Sequence, residues 1–185
     1  MNNKIVIGLL AMTLSGKDTI ADYLVKKYKF KRIAFADELK QDISKMEGIS
    51  IEEIEQKKEI HRNLLISYGE NKRKEDPLYW INRTIKSNNI DFDNLDQNLV
   101  ISDVRRIDEL KWLKKLKDKY NNIYVIEVIK PEHWDDDIET IKSIVYGNYF
   151  NCFYCRLINA GTKQDLYDTI DHILTKIYLT MNIDE

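Results

Sequence analysis

One short segment of the sequence, residues 11–19, carries a glycine, a lysine and hydroxyl side chains in the order typical of a phosphate-binding loop. In such a loop, successive backbone N–H groups surround an anion, and the helix that follows adds the positive end of its dipole. Gly16 lets the backbone approach phosphate oxygens, and Lys17 can bridge the outer phosphates of a nucleotide. A hydroxyl just after the lysine, such as that of Thr19, can then bind Mg²⁺.

The segment departs from the pattern G-x-x-x-x-G-K-[ST] at two positions. Ala11 stands in place of the first glycine, and Asp18 stands in place of the Ser or Thr. An ordinary strand-to-helix turn is the alternative interpretation. We favour the nucleotide site because residues 5–10 form a continuous apolar run, typical of a buried strand, and residues 19–28 follow with helical spacing.

A second candidate is Asp103, which directly follows the apolar run 99–102. An aspartate at the carboxyl end of a buried strand lies near the phosphate loop in this architecture, where Mg²⁺ or its water shell needs a carboxylate. The alternative role is the N-cap of the helix predicted over residues 107–116, and the two roles can coexist. Arg105 follows two residues later.

Strands and helices alternate along most of the chain, which predicts a parallel sheet flanked by helices. Besides 5–10, strands are predicted at 32–36, 99–102, 123–129 and 156–159, and helices at 19–28, 38–46, 107–116 and 162–179. Residues 50–87 predict two or three helices with no strand between them, with a capping box at Ser50 and Glu53. Residues 88–98 predict a surface loop, and residues 131–154 are expected to be irregular.

Length and charge exclude several classes of protein. The 185 residues fit one domain, or one domain with a small lid. A net charge of −2 and a pI near 6.0 give no electrostatic footprint for sequence-blind nucleic-acid binding. No apolar stretch reaches the roughly 18 residues of a membrane span. The N-terminal apolar run lacks a small-x-small cleavage site, which argues against a secretory signal.

The two cysteines, Cys152 and Cys155, form a C-x-x-C pair. No second pair accompanies them, although structural zinc takes four ligands. Their aromatic surroundings favour buried or incidental thiols over a redox pair. We therefore expect a reducing, cytoplasmic location.

Taken together, these segments resemble the P-loop nucleoside monophosphate kinases, and they look most similar to the bacteriophage-type deoxynucleoside monophosphate (dNMP) kinases. In that family Gly-Lys-Asp-Thr replaces Gly-Lys-Ser/Thr, so Asp18 follows the family pattern and Ala11 departs from it. The similarity runs from residue 5 to about residue 170 in family order. It is carried by residues 7–9, 15–24, 35–37, 39–40, 62–65, 68–69, 73, 76–77, 80, 101–105, 109, 159, 161–162 and 166.

The resemblance implies an α/β, P-loop nucleoside-kinase-like three-layer fold, with a five-stranded parallel sheet flanked by helices and a small lid. It implies a single kinase domain over residues 1–185, with a helical acceptor-binding insertion at 38–98 and a lid at 131–154. The implied activity is transfer of the γ-phosphate of ATP, with Mg²⁺, to a (deoxy)nucleoside 5′-monophosphate, giving the diphosphate. The lid is unusual because residues 131–154 contain no arginine.

The resemblance also implies roles for individual residues. The catalytic residues would be Lys17, Asp103 and Arg105. The metal-binding residues would be Asp18, Thr19 and Asp103. The ATP-binding residues would be Ala11, Thr13, Leu14, Ser15, Gly16, Lys17, Asp18, Thr19, Asn159, Gly161 and Thr162. The last three of these would form the turn over the donor adenine. The acceptor-binding residues would be Asp37, Lys40, Arg62, Arg73, Trp80 and Arg105.

Arginine is scarce, with 7 of the 29 basic residues, so arginines at 62, 73 and 105 draw attention as bidentate phosphate ligands. Alternative interpretations stay open for several of these residues. The arginines can be surface residues without a role, Trp80 can be a core residue, and Gly161 can mark a bare turn.

Two alternative functions stay open as well. One is a related small-molecule kinase, such as one like dephospho-coenzyme A kinase. The other is a nucleotide-binding protein without transferase activity, suggested by Ala11 and by the arginine-free lid. The expected partners are small-molecule nucleotides, with no nucleic acid and no membrane, and homodimer formation is left open.

Overall fold

The computed structural model describes residues 4–132 and 137–183. The strands are β1 (Val6–Ala11), β2 (Lys31–Ile33), β3 (Leu99–Val104), β4 (Ile123–Ile129) and β5 (Cys155–Ile158). The helices are α1 (Lys17–Tyr28), α2 (Phe35–Glu47), α3 (Ile51–Gln56), α4 (Lys58–Glu75), α5 (Tyr79–Ser87), α6 (Ile107–Lys119), α7 (Ile138–Tyr149) and α8 (Lys163–Ile183). Within the described ranges, none of these helices combines the length and apolar character needed to cross a bilayer.

The chain divides into two compact units, with one boundary inside β2. Met1–Arg32 and Asp93–Glu185 form the first, called here the sheet unit. Ile33–Phe92 forms the second, called here the helical unit, which contains α2 to α5. The helical unit covers most of the segment 38–98 that the resemblance assigns to acceptor binding, and that assignment remains a prediction.

The five strands form one sheet in the order β2-β3-β1-β4-β5. β1 lies between β3 and β4, and Val6 stands opposite Leu99 on one side and Ile123 on the other. The predicted α/β fold with a five-stranded parallel sheet flanked by helices is confirmed. Because the carboxyl ends of parallel strands meet at one edge, the loops after Ala11, Val104 and Ile158 emerge at the same edge of the sheet.

Helices cover both faces of the sheet, as the alternation of side chains along β1 requires. Ile7 and Leu9 belong to the core cluster that includes apolar residues of α1 and α8. Gly8 faces the other way: a Cβ built there would lie 2.9 Å from Cδ1 of Leu113 in α6. The missing side chain of Gly8 therefore lets α6 approach the sheet closely.

The irregular structure expected for residues 131–154 is wrong for α7, which occupies Ile138–Tyr149. Its buried face carries the small residues Thr140, Ser143 and Gly147, whereas Ile138 and Val145 are each 63% exposed. With apolar residues on the exposed face, hydrophobic periodicity does not reveal the helix. Residues 133–136 of the predicted lid lie outside the described part of the chain.

The helical unit follows the prediction of helices without strands between residues 50 and 87. The Ser50 Oγ accepts the Glu53 N–H at 3.1 Å, which is the N-cap half of the predicted capping box, and the Glu53 carboxylate pairs with Lys57. The strand predicted at 32–36 ends earlier, at Ile33, and α2 begins at Phe35. Phe35, Leu39 and Ile43 are buried at four-residue spacing, so packing of one helical face explains the earlier start.

Candidate phosphate-binding site

The loop between β1 and α1 is a tight turn closed by Ser15. The Ser15 hydroxyl donates to the Met12 carbonyl at 2.7 Å, and the side chain is buried. Leu14 and Gly16 both have positive φ angles, of 58° and 99°. Such an angle is easy for glycine but costs energy for leucine, so the surrounding structure must hold Leu14 in place.

The amino end of α1 is open toward an anion. Gly16 is the N-cap residue, and no side chain among the described residues caps it. The first N–H groups of an α-helix have no acceptor within the helix, and they carry the positive end of its dipole. This arrangement fits a phosphate group, and Lys17 supplies a positive charge at the same place.

A group of three charged side chains, called here the Asp18 cluster, lies at this helix end. Lys17 Nζ is 2.7 Å from Asp18 Oδ2, and Arg32 Nη2 is 3.3 Å from Asp18 Oδ1. The Asp18 side chain is 62% exposed and that of Arg32 is 42% exposed. Two cations face one carboxylate, so the cluster has a net positive charge. Exposed ion pairs contribute little free energy, so an arriving phosphate can replace Asp18 as the partner of the two cations.

Arg32 is a member of this cluster that the sequence analysis did not select. Its Nε donates to the hydroxyl of buried Ser102 at 2.9 Å, which fixes the plane of the guanidinium group. The scarcity of arginine in the sequence could have pointed to Arg32, but it does not distinguish Arg32 from the other six arginines. Arg32 also lies in β2, three residues before the start of the segment 35–37 that carries part of the resemblance.

Asp103 lies within β3 and is partly buried. Its alternative role as the N-cap of α6 is wrong, because α6 begins at Ile107 and its N-cap is Arg106. The buried carboxylate of Glu109 accepts the backbone N–H of Arg105 at 2.8 Å and that of Arg106 at 3.0 Å. Asp103 thus stays at the strand end, where the predicted role near Mg²⁺ requires it.

Arg105 forms an ion pair with Asp137, the N-cap residue of α7. Asp137 also accepts a hydrogen bond from the Thr140 hydroxyl at 2.6 Å. Any role of Arg105 at a transferring phosphoryl group therefore requires it to exchange this partner.

A cavity of about 390 Å³ brings together three of the predicted ATP-binding residues, Thr19, Asn159 and Gly161. Its complete lining is Thr19, Lys130, Pro131, Glu132, Asn159, Ala160, Gly161, Lys163 and Leu166. Thr162 is the residue next to Gly161 in this lining. Its backbone N–H donates to Asp165 Oδ2, at the start of α8, with a distance of 2.7 Å. Asn159 reaches the phosphate loop itself, since its side-chain amide donates to the Ser15 carbonyl at 2.9 Å.

The predicted metal-binding residues Asp18, Thr19 and Asp103 all lie in the sheet unit. Among residues 4–132 and 137–183, no group of three or more His, Cys, Asp or Glu side chains forms a metal site of its own. Mg²⁺ usually binds one or two carboxylates together with substrate phosphates and water. The residues present fit that mode, in which the nucleotide would supply further ligands.

A family model for phosphomevalonate kinase matches residues 12–119, which is more than half of the chain. This chain belongs to the phosphomevalonate kinase family. The matched residues include the phosphate loop, the helical unit and β3. The protein is thus a P-loop kinase that acts on a small molecule, as the resemblance implied. The narrower assignment to the dNMP kinases is not established by this match.

Solved structures agree on the fold of this phosphomevalonate kinase family member. Shikimate kinase from Acinetobacter baumannii, in complex with shikimate, superposes with a TM-score of 0.50 at 12% identity, over 95% of each chain. TT1252 from Thermus thermophilus superposes with a TM-score of 0.50 at 16% identity, over 94% of this chain and 97% of that one. At such identities the likeness shows the fold alone. No curated protein sequence matches the chain.

Five of the six predicted acceptor residues of this kinase lie in the helical unit, and the sixth, Arg105, lies in the sheet unit. Lys40 is 2.5 Å from Glu55 and 3.4 Å from Asp37. Burial would lower the pKa of Lys40, but the carboxylates of Glu55 and Asp37 outweigh it and raise that pKa. Arg73 pairs with Glu70 at 3.3 Å, and Arg62 is exposed.

Trp80 is a core residue of the helical unit, with only 2% of its surface exposed. Its indole N–H donates to the Gly69 carbonyl at 3.2 Å, and the Tyr79 ring packs edge-on against it at 4.9 Å. The predicted role of Trp80 in contacting the acceptor does not fit this burial. The core alternative fits it.

A second charged group, called here the Arg83 cluster, joins α2 to α5 within the helical unit. Arg83 contacts Glu38 at 3.2 Å and Asp42 at 2.5 Å, and the two carboxylate side chains are only 6% and 12% exposed. Burial would lower the pKa of Arg83, but Asp42, Tyr79 and Glu38 raise it. No local sequence pattern marks this cluster, because Arg83 lies 45 positions from Glu38 and 41 positions from Asp42.

The two cysteines are free, and Cys152 is buried whereas Cys155 is partly buried. Burial raises the pKa of the Cys155 thiol to about 11, and it also raises the pKa of the Cys152 thiol. Since the thiolate is the reactive form, neither group is suited to redox chemistry near neutral pH.

Proposed function

We propose that the protein transfers the γ-phosphate of ATP to a small phosphomonoester, with a (deoxy)nucleoside 5′-monophosphate as the acceptor and the diphosphate as the product. The observation that carries this proposal is the open helix end with its Asp18 cluster, beside which Thr19 enters the cavity of about 390 Å³. A reducing cytoplasmic location, suggested by the two free thiols, and small nucleotides as the partners belong to the same proposal.

The donor side would work by positioning and by charge. Phosphoryl transfer needs little covalent chemistry from the protein, but it needs in-line alignment and cations around the spreading negative charge. Lys17 and Arg32 would exchange Asp18 for phosphate oxygens, and the backbone N–H groups at the start of α1 would hold the same oxygens. Mg²⁺, when bound with the nucleotide, neutralises further charge on the phosphates.

The acceptor side would use cations of the helical unit. Lys40, Arg62 and Arg73 are the proposed contacts for the acceptor phosphate. The two guanidinium groups can each donate paired hydrogen bonds to a phosphate dianion, and the Lys40 ammonium adds a positive charge. Arg105 would act at the transferring group after leaving Asp137. Asp37 would bind the acceptor through hydrogen bonds to its exposed carboxylate.

Phosphomevalonate is a second candidate acceptor, favoured by the family match over residues 12–119. It shares the chemistry of the first candidate, since both acceptors present a phosphomonoester and both products are diphosphates. Two further outcomes differ in chemistry. A kinase like dephospho-coenzyme A kinase would phosphorylate a hydroxyl, and a nucleotide-binding protein would bind ATP without transfer.

An acceptor screen distinguishes these outcomes. The protein is incubated with ATP and Mg²⁺ together with each dNMP, each NMP, phosphomevalonate or dephospho-coenzyme A, and ADP release is followed by a coupled assay. We expect the highest kcat/KM with a nucleoside monophosphate. If kcat/KM is highest with phosphomevalonate, the acceptor is phosphomevalonate and not a nucleoside monophosphate. If the protein binds ATP but releases no ADP with any acceptor, the proposal that it is a transferase is wrong.

The screen has a matched pair of variants in α1. Lys17→Ala removes the proposed phosphate contact, whereas Lys26→Ala removes an exposed lysine from the last turn of the same helix. Activity that survives in Lys26→Ala and disappears in Lys17→Ala assigns the ADP release to this site rather than to a contaminating kinase.

A further inference from the structure

Asn159 makes a contact that its predicted place beside the adenine does not explain. Its side-chain amide donates to the backbone carbonyl of Ser15 at 2.9 Å, across 144 positions of sequence. Ser15 is buried, and its own hydroxyl is already used on the Met12 carbonyl. The Ser15 carbonyl thus has an amide donor supplied from the far end of the sheet unit.

This contact lies where the phosphate loop is most constrained. Leu14 and Gly16, on either side of Ser15, both have positive φ angles. A Cβ built on Gly16 would lie 2.5 Å from the Asn159 amide nitrogen, so only glycine permits this approach. The amide therefore packs against Gly16, one of the two residues whose positive φ angles give the loop its curvature.

Asn159 is itself fixed by the sheet. Its backbone N–H donates to the Ile129 carbonyl at 2.7 Å, which joins the chain just beyond the carboxyl end of β5 to the last residue of β4. The side chain then connects these strand ends to the loop after β1. Three neighbouring strand ends are thereby held in one arrangement, and the positive φ of Leu14 is kept despite its cost.

We infer that Asn159 is a positioning residue, which holds the phosphate loop in its anion-binding shape instead of contacting the adenine. The inference rests on the proposed function for the nature of the anion, a triphosphate chain. It predicts that Asn159 affects the binding of phosphate groups and leaves the binding of the nucleoside unchanged. An adenine contact predicts the reverse.

Calorimetric titration of the intact protein with tripolyphosphate, ATP and adenosine separates the two roles. Asn159→Asp keeps the shape of the side chain but turns the donor into an acceptor facing the Ser15 carbonyl, and Asn159→Ala removes the contact. We expect affinity for tripolyphosphate and ATP to fall about tenfold in both variants, as for one lost hydrogen bond, with the adenosine affinity unchanged. A fall for adenosine and ATP with unchanged tripolyphosphate binding overturns the inference, as does no change for any probe.

Two controls complete the test. Gln164→Glu makes the same amide-to-carboxylate change at an exposed position of α8, and it should leave all three affinities unchanged. In the wild-type protein, a through-hydrogen-bond NMR coupling between the Asn159 side-chain nitrogen and the Ser15 carbonyl carbon should persist when tripolyphosphate binds. This second measurement decides the matter if the variants do not fold, and loss of the coupling in the bound protein overturns the inference.

The outcome is separable from that of the proposed function. Wild-type protein that binds tripolyphosphate in an Asn159-dependent way, but transfers phosphate to no acceptor, contradicts the kinase proposal and supports the positioning role. Active kinase whose tripolyphosphate affinity does not depend on Asn159 does the opposite.

Discussion

The two charged clusters of this protein use the same kinds of residues in different surroundings. In the Asp18 cluster, an arginine and a lysine face a carboxylate whose side chain is 62% exposed. In the Arg83 cluster, one arginine faces two carboxylates that are only 6% and 12% exposed. The Asp18 cluster therefore has a net positive charge, and the Arg83 cluster has a net negative charge.

The exposure of a charged cluster indicates whether its ion pairs are fixed parts of the structure or can exchange partners with a ligand. A buried carboxylate that loses its cation is left without water to replace it, so the pair must stay together. An exposed pair is weak because water competes with it, and a phosphate that carries more charge than Asp18 can displace that partner. Exposure thus identifies the Asp18 cluster as the one suited to ligand exchange.

The largest expected effect on stability breaks the buried cluster. Arg83→Met should lower the free energy of unfolding by about 3 kcal/mol, because Glu38 and Asp42 lose their common cation. Arg32→Met in the exposed cluster should cost only about 1 kcal/mol, because it loses an exposed ion pair and one hydrogen bond to Ser102. Urea unfolding of both variants measures the contrast, and equal losses would contradict the assignment of the two clusters.

The next effect tests the exposed cluster by ligand binding. Lys17→Ala should weaken ATP binding about a hundredfold, as for a lost contact to a charged group, while the free energy of unfolding stays near that of the wild type. Lys26→Ala is the matched control in α1 and should bind ATP normally. ATP affinity that is unchanged in Lys17→Ala would refute the phosphate site.

A smaller effect is expected in the helical unit, where we propose that partly exposed cations bind the acceptor phosphate. Arg73→Ala should raise the acceptor KM about tenfold and leave the ATP KM unchanged, because one phosphate contact is lost. Lys74→Ala, which removes the adjacent exposed cation, should alter neither constant. A rise in the ATP KM instead would move Arg73 out of the acceptor site.

The smallest expected effect is on the pH dependence of stability, and it concerns Asp171. The side chain of Asp171 is 30% exposed, which lies between the exposures of the carboxylates in the two clusters. Burial would raise the pKa of its carboxyl, but hydrogen bonds from Lys27, Tyr28 and Tyr23 lower it below the ordinary 3.8. A lowered pKa in the folded state stabilises the protein above about pH 4, and this contribution is lost as the pH falls through the folded-state value.

Asp171→Asn should therefore show a smaller loss of unfolding free energy between pH 6 and pH 3 than the wild type. Asp168→Asn, on the same helix but exposed, should follow the wild-type profile. The interpretation of Asp171 is wrong if its variant loses as much stability in acid as the wild type does.

Features with a strong local signal were the ones that sequence alone could predict. The apolar runs of β1 and β4 and the Gly-Lys pair at the start of α1 are of this kind, and so is the N-cap at Ser50. Each is decided by residues within one turn or one strand of each other. The alternation of strands and helices along the chain then predicted the parallel sheet.

The features that were missed depend on partners far apart in sequence. Arg32 meets Ser102 across 70 positions, and Asn159 meets Ser15 across 144. No local pattern marks such pairs, because each side chain alone is an ordinary polar residue. α7 was missed for a different reason: tertiary packing of its small face outweighs the weak helix propensity of its β-branched residues.

Phosphorus NMR of the reaction mixture shows whether the protein transfers a phosphoryl group to a phosphomonoester. With ATP, Mg²⁺, a deoxynucleoside monophosphate and the wild-type protein, we expect loss of the ATP β-phosphate signal and the appearance of two diphosphates, ADP and the deoxynucleoside diphosphate, in equal amounts. Unchanged ATP, or ADP accompanied only by inorganic phosphate, with every phosphomonoester tested would contradict it.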